Sequence, residues 1–499
     1  MSFAEFKKLA RPGGVAPVWR DFLLDTDTPV SAFAKIRRGP FAFLLESAPA
    51  GGETWSRYTF MGTEPRSAWR LKSGTVEDWT AARGWHNARQ PQDPLADLES
   101  LLLESEGDAL PNIGEFWTGA IGYFGYDVVR LIERLPDPGR PGPDVPDALF
   151  IFTRSLVILD NLKSSARLVI SVPIPNRAGD AQLEKLYREA TDELDDLESR
   201  LGSHSVLTPL NANFKAAPVV GKSTYARADF MRDVERIREY IRAGDCFQAL
   251  LARRIDVPYD FDSTALYRAL RAINPSPYMF HLILDGMELV GSSPELLIRL
   301  AASKVTVRPI AGTRPRGVTS EDDARLSAEL LADEKERAEH VMLVDLGRND
   351  VGRIAEYGSV EVTELMQVEK YSHVLHIVSQ VEGKTRGDGS AIDVFRATFP
   401  AGTMTGAPKV RAMQIIDELE PTRRGPYAGA VGYIAGGAKR MDLAITIRTC
   451  VISNGVASVE AGAGIVADSV AEREWEETES KAKAMLSAIG AVRNAGRKA

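Results

Sequence analysis

Two stretches of this chain place carboxylates where they can share one task. In LLADEKERAEHVMLVDLGRND (330–350), Glu336 and Glu339 are three residues apart and fall on one face if the segment is helical. A second pair, Glu474 and Glu477, lies in EREWEETESKAKAMLSAI (472–489), again with helical periodicity. Two such pairs, one from each helix, suit a single hard divalent cation, and magnesium prefers oxygen ligands and keeps positions open for water or an anionic substrate. On spacing alone the competing reading is the stronger one: solvated helix faces paired with nearby Lys and Arg, contributing about 0.3–0.5 kcal/mol per pair. Arg448, in LAITIRTCVI (443–452), reads as a charge on a mostly apolar strand. The segments EAGAGIVADS (460–469) and FPAGTMTGAPK (399–409) mix glycines with small hydroxyl residues. Such backbone can approach an oxyanion closely or simply form tight turns. None of the six histidines has HxH or HExxH spacing, which disfavours zinc. No Gly-x-Ser-x-Gly elbow and no strand–GxGxxG–helix pattern is present, against a serine hydrolase and a dinucleotide site.

The elements that must position these groups are legible in part. FAFLLESA (41–48), SLVILDN (155–161) and RLVISVPI (167–174) read as strands, and the Pro- and Gly-rich LPDPGRPGPDVPD (135–147) as an irregular loop. Residues 179–201 predict a charged helix with Leu183, Leu186, Ala190, Leu194 and Leu197 at helical spacing. Periodicity fades over 202–222, and 224–245 predicts an amphipathic helix ending at Gly244. This divides the chain into an N-terminal region, 1–205, and a second region, 220–495. The 499 residues, 44% hydrophobic and 26% charged, suffice for a large core. A formal charge of −8 argues against a nucleic-acid partner held by bulk electrostatics. Two cysteines exclude a disulfide framework, and no signal peptide or roughly 18-residue apolar span is evident, so a cytoplasmic protein without a membrane partner is expected.

Seven ordered motifs carry a family resemblance: PIAGTRPRG (309–317), DEKERAEHVMLVDLGRNDVGR (333–353), YSHVLHIVS (371–379), FPAGTMTGAPKVRAM (399–413), RGPYAGAVGY (424–433), TIRT (446–449) and GAGIVADS (462–469). In this succession they resemble the chorismate-utilising enzymes, and among them the anthranilate synthase component I family, strongly over about 220–490 and weakly before. The resemblance implies an α+β fold, a layered antiparallel β-sandwich with outer helices and a central cleft. It implies that Glu339 and Glu477 are the principal Mg2+ ligands, supported by Glu336 and Glu474. Tyr427, Arg448, Gly462, Gly464 and Lys481 match positions that hold the substrate's carboxylates, for which the arginine fork is suited. Thr313, His376 and Thr403 match residues lining the ring and its leaving hydroxyl.

Members of the family differ in nucleophile. Those that add water resemble one another in carrying a lysine base where this chain, in GDCFQALLARR (244–254), has Gln248. An amide cannot deprotonate water, whereas ammonia needs no base, so amination is expected. The close relatives that make aminodeoxychorismate typically carry PIKGT, with a nucleophilic lysine. Ala311 stands there in this chain and selects the anthranilate branch. Glu295, in GSSPE (291–295), is then expected to protonate the departing hydroxyl, which requires burial to raise its pKa. His376 orients the substrate or accepts a proton.

The resemblance further implies a separate glutamine amidotransferase subunit in a hetero-oligomer, delivering ammonia, because nothing here resembles a glutaminase. LLES (44–47) and NPSPYMF (274–280) resemble the family's tryptophan feedback site, with Ser47, Pro277, Tyr278 and Met279 as contacts. A structural turn fixed by Pro275 and Pro277 competes with that reading. LLARR (250–254) departs from the family's usual Ser-Gln-Arg at Ala252 and Arg253. From a different class, a silent tryptophan-sensing subunit is disfavoured by the intact set Glu295, Glu339, Glu477 and Lys481.

Overall fold

The β-branched and aromatic runs pair into two antiparallel sheets of twelve strands each in the computed structural model, which describes residues 1–47, 57–107, 116–137, 139–205, 207–371 and 374–493. The expected strands occupy Phe41–Glu46, Ser155–Asp160 and Ser165–Pro173. Ala48, the last residue of the first expected strand, and Ser372 and His373 of the YSHVLHIVS motif lie outside the described residues. Each sheet joins a block of strands from before residues 202–222 to a block from after them at a single strand pair. In the first sheet the contact is made by Phe41–Glu46 against Tyr278–Leu284; in the second, by Gly119–Phe124 against Ala430–Ala435.

The sheets face each other across an apolar layer that includes Phe43, Ile158 and Leu289 from one and Ile121, Ile151 and Val431 from the other. Each fully buried side chain of this size contributes about 1.5–3 kcal/mol. Helices Asp180–Leu201, Ser263–Ile273 and Ala471–Arg493 cover the outer face of the first sheet. Pro94–Leu103, Glu334–Gly352 and Ala391–Thr398 cover the second. The architecture is the expected α+β layered sandwich with helices outside.

The helix at Asp180–Leu201 buries Leu183, Ala190, Leu194 and Leu197 as its spacing requires. The helix at Arg227–Ala243 stops at Gly244, whose φ of +86° is the left-handed cap that favours glycine. The segment after residue 202 runs beside the C-terminal helix, with the Val219 N–H donating to the Leu486 carbonyl at 3.2 Å. The stretch 330–350 is broken at Asp333. This residue closes Ser320–Ala332 and caps Glu334–Gly352 through its carboxylate, which accepts from the Lys335 and Glu336 N–H groups.

Candidate active site

The cap at Asp333 fixes the phase of helix Glu334–Gly352, so that Glu336, Glu339, Leu343, Gly347 and Asp350 form one stripe. Across from its N-terminal end stands the C-terminal helix Ala471–Arg493, which carries Glu474, Glu477 and Lys481. The two carboxylate pairs sense each other: burial pushes the Glu339 carboxyl up, and Glu336 and Glu477 push it further. Glu474 is likewise raised by burial and by Glu477, against a hydrogen bond from Ser469. Lys335 and Lys481 face both groups and partly offset the repulsion. Ion pairs also form here. Arg314 lies 3.2 Å from Glu336, and Lys481 lies 2.7 Å from Glu477. Among the described residues no three His, Cys, Asp or Glu side chains already stand close enough together to hold a metal ion. An all-oxygen set on two facing helices, with self-repulsion a cation would relieve, fits magnesium that keeps part of its water shell.

The glycine-rich segments are not both turns. Gly462 and Gly464 lie within the continuous strand Val456–Ile465, where they pair with Ala252 and Leu250 of strand Gln248–Pro258. A Cβ on Gly464 would sit 2.5 Å from Nε2 of Gln248, so the glycine is what lets this buried amide lie against the strand. Gln248 Oε1 is buried without a hydrogen-bond partner among the described residues. Lys481 Nζ donates to the Gly462 carbonyl at 3.0 Å, and the buried Tyr427 hydroxyl faces the Gly462 N–H. The second glycine segment forms a short 3-10 turn, Gly402–Met404, and a two-residue bridge, Gly406–Ala407, against Gln248–Ala249. Gly406 has φ +140°, and a Cβ there would press into the Gln248 carbonyl oxygen. Gly406→Ala is expected to cost about 2–4 kcal/mol, read as a lowered midpoint in thermal denaturation.

Arg448 is corrected by the structure. It is not within a strand but in the turn between Met441–Ile445 and Thr449–Ser453, at φ +49°, a left-handed conformation uncommon for arginine. The turn is held by the Ser292 N–H, which donates to the Arg448 carbonyl at 3.2 Å. It aims the guanidinium inward, where burial pushes its pKa below the ordinary value and Glu295 opposes that shift. Among the described residues this guanidinium has no ion-pair partner within 4 Å, which leaves its fork available to a carboxylate.

Glu295 lies just beyond strand Met287–Ser293 and is 8% exposed. Its backbone is tied to the strand that precedes Arg448, since the Ile445 N–H donates to its carbonyl at 3.0 Å. Burial pushes its carboxyl up to about 7, against the Thr403 hydroxyl, Arg448 and Lys481. Thr403 Oγ1 donates to Glu295 Oε1 at 3.0 Å. His376 pairs with Thr313 across neighbouring strands. Its Nδ1 lies 2.8 Å from the Gly312 carbonyl and 3.2 Å from the Thr313 hydroxyl. An Nδ1–H donor to a carbonyl leaves Nε2 as the acceptor. Burial pushes its pKa down to about 4, so the ring is neutral at pH 7. Ala311 and Gly312 sit at a bulge in the same strand, with the Gly312 Cα face against the Glu336 carboxylate.

The structure therefore brings together Glu295, Thr403, Arg448 and Lys481 around one carboxyl, joins Lys481 to Glu477, and links Thr313 and His376 to Glu336 through Gly312. Sequence reasoning missed Arg314 and Ser469, which engage two of the acidic residues, and Tyr371, whose ring packs edge-on to His376 at 5.3 Å. The departure at Arg253 has a physical account. The buried guanidinium stacks on Trp475 at 3.8 Å and donates to Thr478 Oγ1 at 2.7 Å, fastening the C-terminal helix to strand Gln248–Pro258. The feedback candidates also meet. Glu46 pairs with Met279, which places Ser47 beside Tyr278 and the Pro277 turn. Buried Glu46 is gripped by Arg271 and Tyr267.

Comparison with known proteins agrees with this assembly. A family model described as chorismate binding enzyme matches residues 42–487. The chain is 44% identical to the anthranilate synthase component 1 of Acinetobacter calcoaceticus, with 98% of each chain covered. It is also 44% identical to that of Aquifex aeolicus, over 98% of this chain and 97% of the relative. The crystal structure of anthranilate synthase component I from Streptococcus pneumoniae TIGR4 superposes with a TM-score of 0.74 at 34% identity, covering 93% of this chain and 99% of that one. The menaquinone-specific isochorismate synthase of Escherichia coli, at 18% identity and a TM-score of 0.70 over 98% of both chains, shares the fold.

Proposed function

The chain belongs to the chorismate binding enzymes, and we propose that it converts chorismate and ammonia to anthranilate and pyruvate with magnesium as its metal. The observation that carries this reading is the Glu295 carboxyl, buried, pushed up to about 7, and set between the Thr403 hydroxyl, Arg448 and Lys481. A carboxyl half-protonated at neutral pH, with cations beside it for an anionic substrate, is the arrangement a general acid requires.

Arg448 and Lys481 bind the carboxylates of chorismate, with the Gly462–Gly464 backbone and Tyr427 shaping the cradle. Glu339 and Glu477, with Glu336 and Glu474, would hold the magnesium ion, which would supply positive charge for the ring carboxylate. Ammonia adds at C2, the ring double bonds shift, and the C4 oxygen leaves as water with the Glu295 proton. The Glu295 carboxylate takes back the proton that the new ammonium must lose. The C2 proton is then removed, the C3–O bond breaks as the ring becomes aromatic, and the released enolpyruvate takes up a proton to become pyruvate. The neutral His376 ring, its Nδ1 held on the Gly312 carbonyl, offers Nε2 as the acceptor for the ring proton. Gln248 and Ala311 supply no base and no nucleophile, which supports ammonia over water or an enzyme amine.

Purified chain with chorismate, magnesium and ammonium salt at mildly alkaline pH is expected to yield anthranilate and pyruvate in equal amounts, identified by mass and fluorescence. An aminated product that keeps its pyruvyl group moves the chain to the aminodeoxychorismate branch. Chorismate left untouched even with an added glutaminase subunit defeats the reading.

Ammonia comes from a glutamine amidotransferase partner. Supporting this, burial pushes the Cys246 and Cys450 thiols up, opposite to what a glutaminase nucleophile needs. A cytoplasmic location accords with two free cysteines and with no described helix long and apolar enough to cross a membrane. Tryptophan binds at Ser47, Pro277, Tyr278 and Met279 and lowers chorismate affinity. Strand Tyr278–Leu284 pairs with the strand that leads into Glu295, which supports coupling between the two sites. Calorimetry is expected to show tryptophan binding weakened by chorismate by the same factor in both directions; the absence of any tryptophan heat removes this part of the proposal.

A further inference from the structure

Below the carboxylates, the stripe on helix Glu334–Gly352 ends at Asp350, and Asp350 meets Lys409. Lys409 Nζ lies 2.8 Å from Asp350 Oδ1 and 3.1 Å from the Thr398 carbonyl. Both side chains are nearly buried, at 10% and 11% exposure. A buried ion pair is weak evidence of stability, because desolvation cancels most of its attraction and apolar replacements are often as stable. Its position suggests a different role. Lys409 begins helix Lys409–Leu419, directly after the segment 399–408 that carries Thr403, while Thr398 ends the helix before that segment. The pair thus grips both ends of the segment and pins them to the helix that bears Glu336 and Glu339. Asp350, Thr398, Gly402, Thr403 and Glu295 line one cavity. Gly402 fits against Leu346 so closely that a Cβ would sit 2.8 Å from its Cδ1.

We propose that the Lys409–Asp350 pair is a positioning device for the reaction, holding segment 399–408 so that the Thr403 hydroxyl stays on the Glu295 carboxyl. The inference rests on Glu295 as the general acid. Neither Lys409 nor Asp350 touches substrate; they act through Thr403. The charged groups that face Glu295 itself are Arg448 and Lys481, and neither is substituted when the pair is replaced.

The test is a coupling measurement on the full-length enzyme with ammonium as nitrogen source. Lys409→Met/Asp350→Leu replaces the pair by apolar side chains of similar volume. It is expected to lower kcat about 10–30-fold with KM for chorismate within about twofold, and to move the alkaline limb of the kcat–pH profile upward, since the Thr403 bond it loses held the acid down. Thr403→Val is expected to show the same kcat loss and the same displacement. Combined, the three substitutions are expected to lose no more than either alone. A structural role without positioning predicts multiplied losses and an unmoved limb, and that outcome overturns the proposal. Asp350→Asn keeps the shape and an acceptor for Lys409, and serves if the double variant does not fold. It is expected to lose about threefold in kcat with a smaller displacement of the same sign, and a wild-type rate and profile in this variant also overturn the proposal. If Glu295→Gln retains turnover, the failure lies with the general-acid reading; if Glu295→Gln is inactive and the losses multiply, it lies with the pair.

Discussion

Glu295→Gln is expected to lower kcat by at least about 10³-fold while chorismate affinity, read by calorimetry, stays within about threefold of wild type. Glutamine preserves the shape and can still accept from Thr403, so the loss falls on proton donation alone. In the wild-type enzyme kcat should fall above about pH 7, tenfold per unit, as the acid empties. Stability supplies a second readout with a defined sign. A buried carboxyl pushed up to about 7 contributes fully to stability below its unfolded value, near 4.5, and that contribution is lost as pH rises through about 7. The neutral amide of the variant carries no such penalty. It should match wild-type stability at pH 4–5 and exceed it at pH 8, by on the order of 3 kcal/mol, in denaturant titrations at the two pH values. An active variant, or a stability difference that shrinks toward alkaline pH, excludes the assignment.

Glu339→Gln is expected to lower kcat/KM by about 10³-fold, close to 4 kcal/mol, and to raise the magnesium concentration needed for half-maximal rate. The same change should stabilise the metal-free protein at neutral pH. Glu339 is pushed up by burial first and by Glu336 and Glu477 second, so its ionised form opposes folding. That opposition is absent below the unfolded carboxylate range and sets in as pH rises through the folded value. The thermal midpoint without metal should therefore rise by about 1–3 °C in Glu339→Gln, and the gain should vanish when magnesium is added to the wild type. A variant that loses activity but not its magnesium requirement would place the metal elsewhere.

The elements nearest the site were legible where local periodicity governs them. The amphipathic patterns gave Asp180–Leu201, Arg227–Ala243 and Ala471–Arg493 within a few residues, and each Glu-x-x-Glu pair lies on one helical face as its spacing requires. What spacing could not show is that the two pairs meet, because this depends on sheets whose partners are hundreds of residues apart; ordered motifs supplied that information through resemblance. The solvated-pair reading was also partly right, since Arg314 and Lys481 engage Glu336 and Glu477. Arg448 was misplaced for a local reason. An apolar run on both sides suggests an uninterrupted strand, and only the left-handed turn reveals that the run is two strands with the arginine at their junction. Gly462 and Gly464 show the converse: glycines for which a tight turn was one of two readings sit in a strand, where they make room for Gln248 and expose carbonyl and N–H groups to Lys481 and Tyr427. Lys409 and Asp350 lay within quoted motifs, yet charges among apolar residues gave no hint of pairing across 59 positions.

The junction of an early and a late block of strands in each sheet has a bearing on how the protein comes into being. Strand Phe41–Glu46 waits for Tyr278–Leu284, and Gly119–Phe124 waits for Ala430–Ala435. Helix Ala471–Arg493, which brings Glu474, Glu477 and Lys481, follows all of these strands. A nascent chain therefore carries unpaired strand edges through most of translation, a period in which chaperones have something to hold and aggregation has something to nucleate on. On the function proposed above, trimming that removes helix Ala471–Arg493 is expected to abolish activity rather than reduce it, because Glu474, Glu477 and Lys481 all depart with one element.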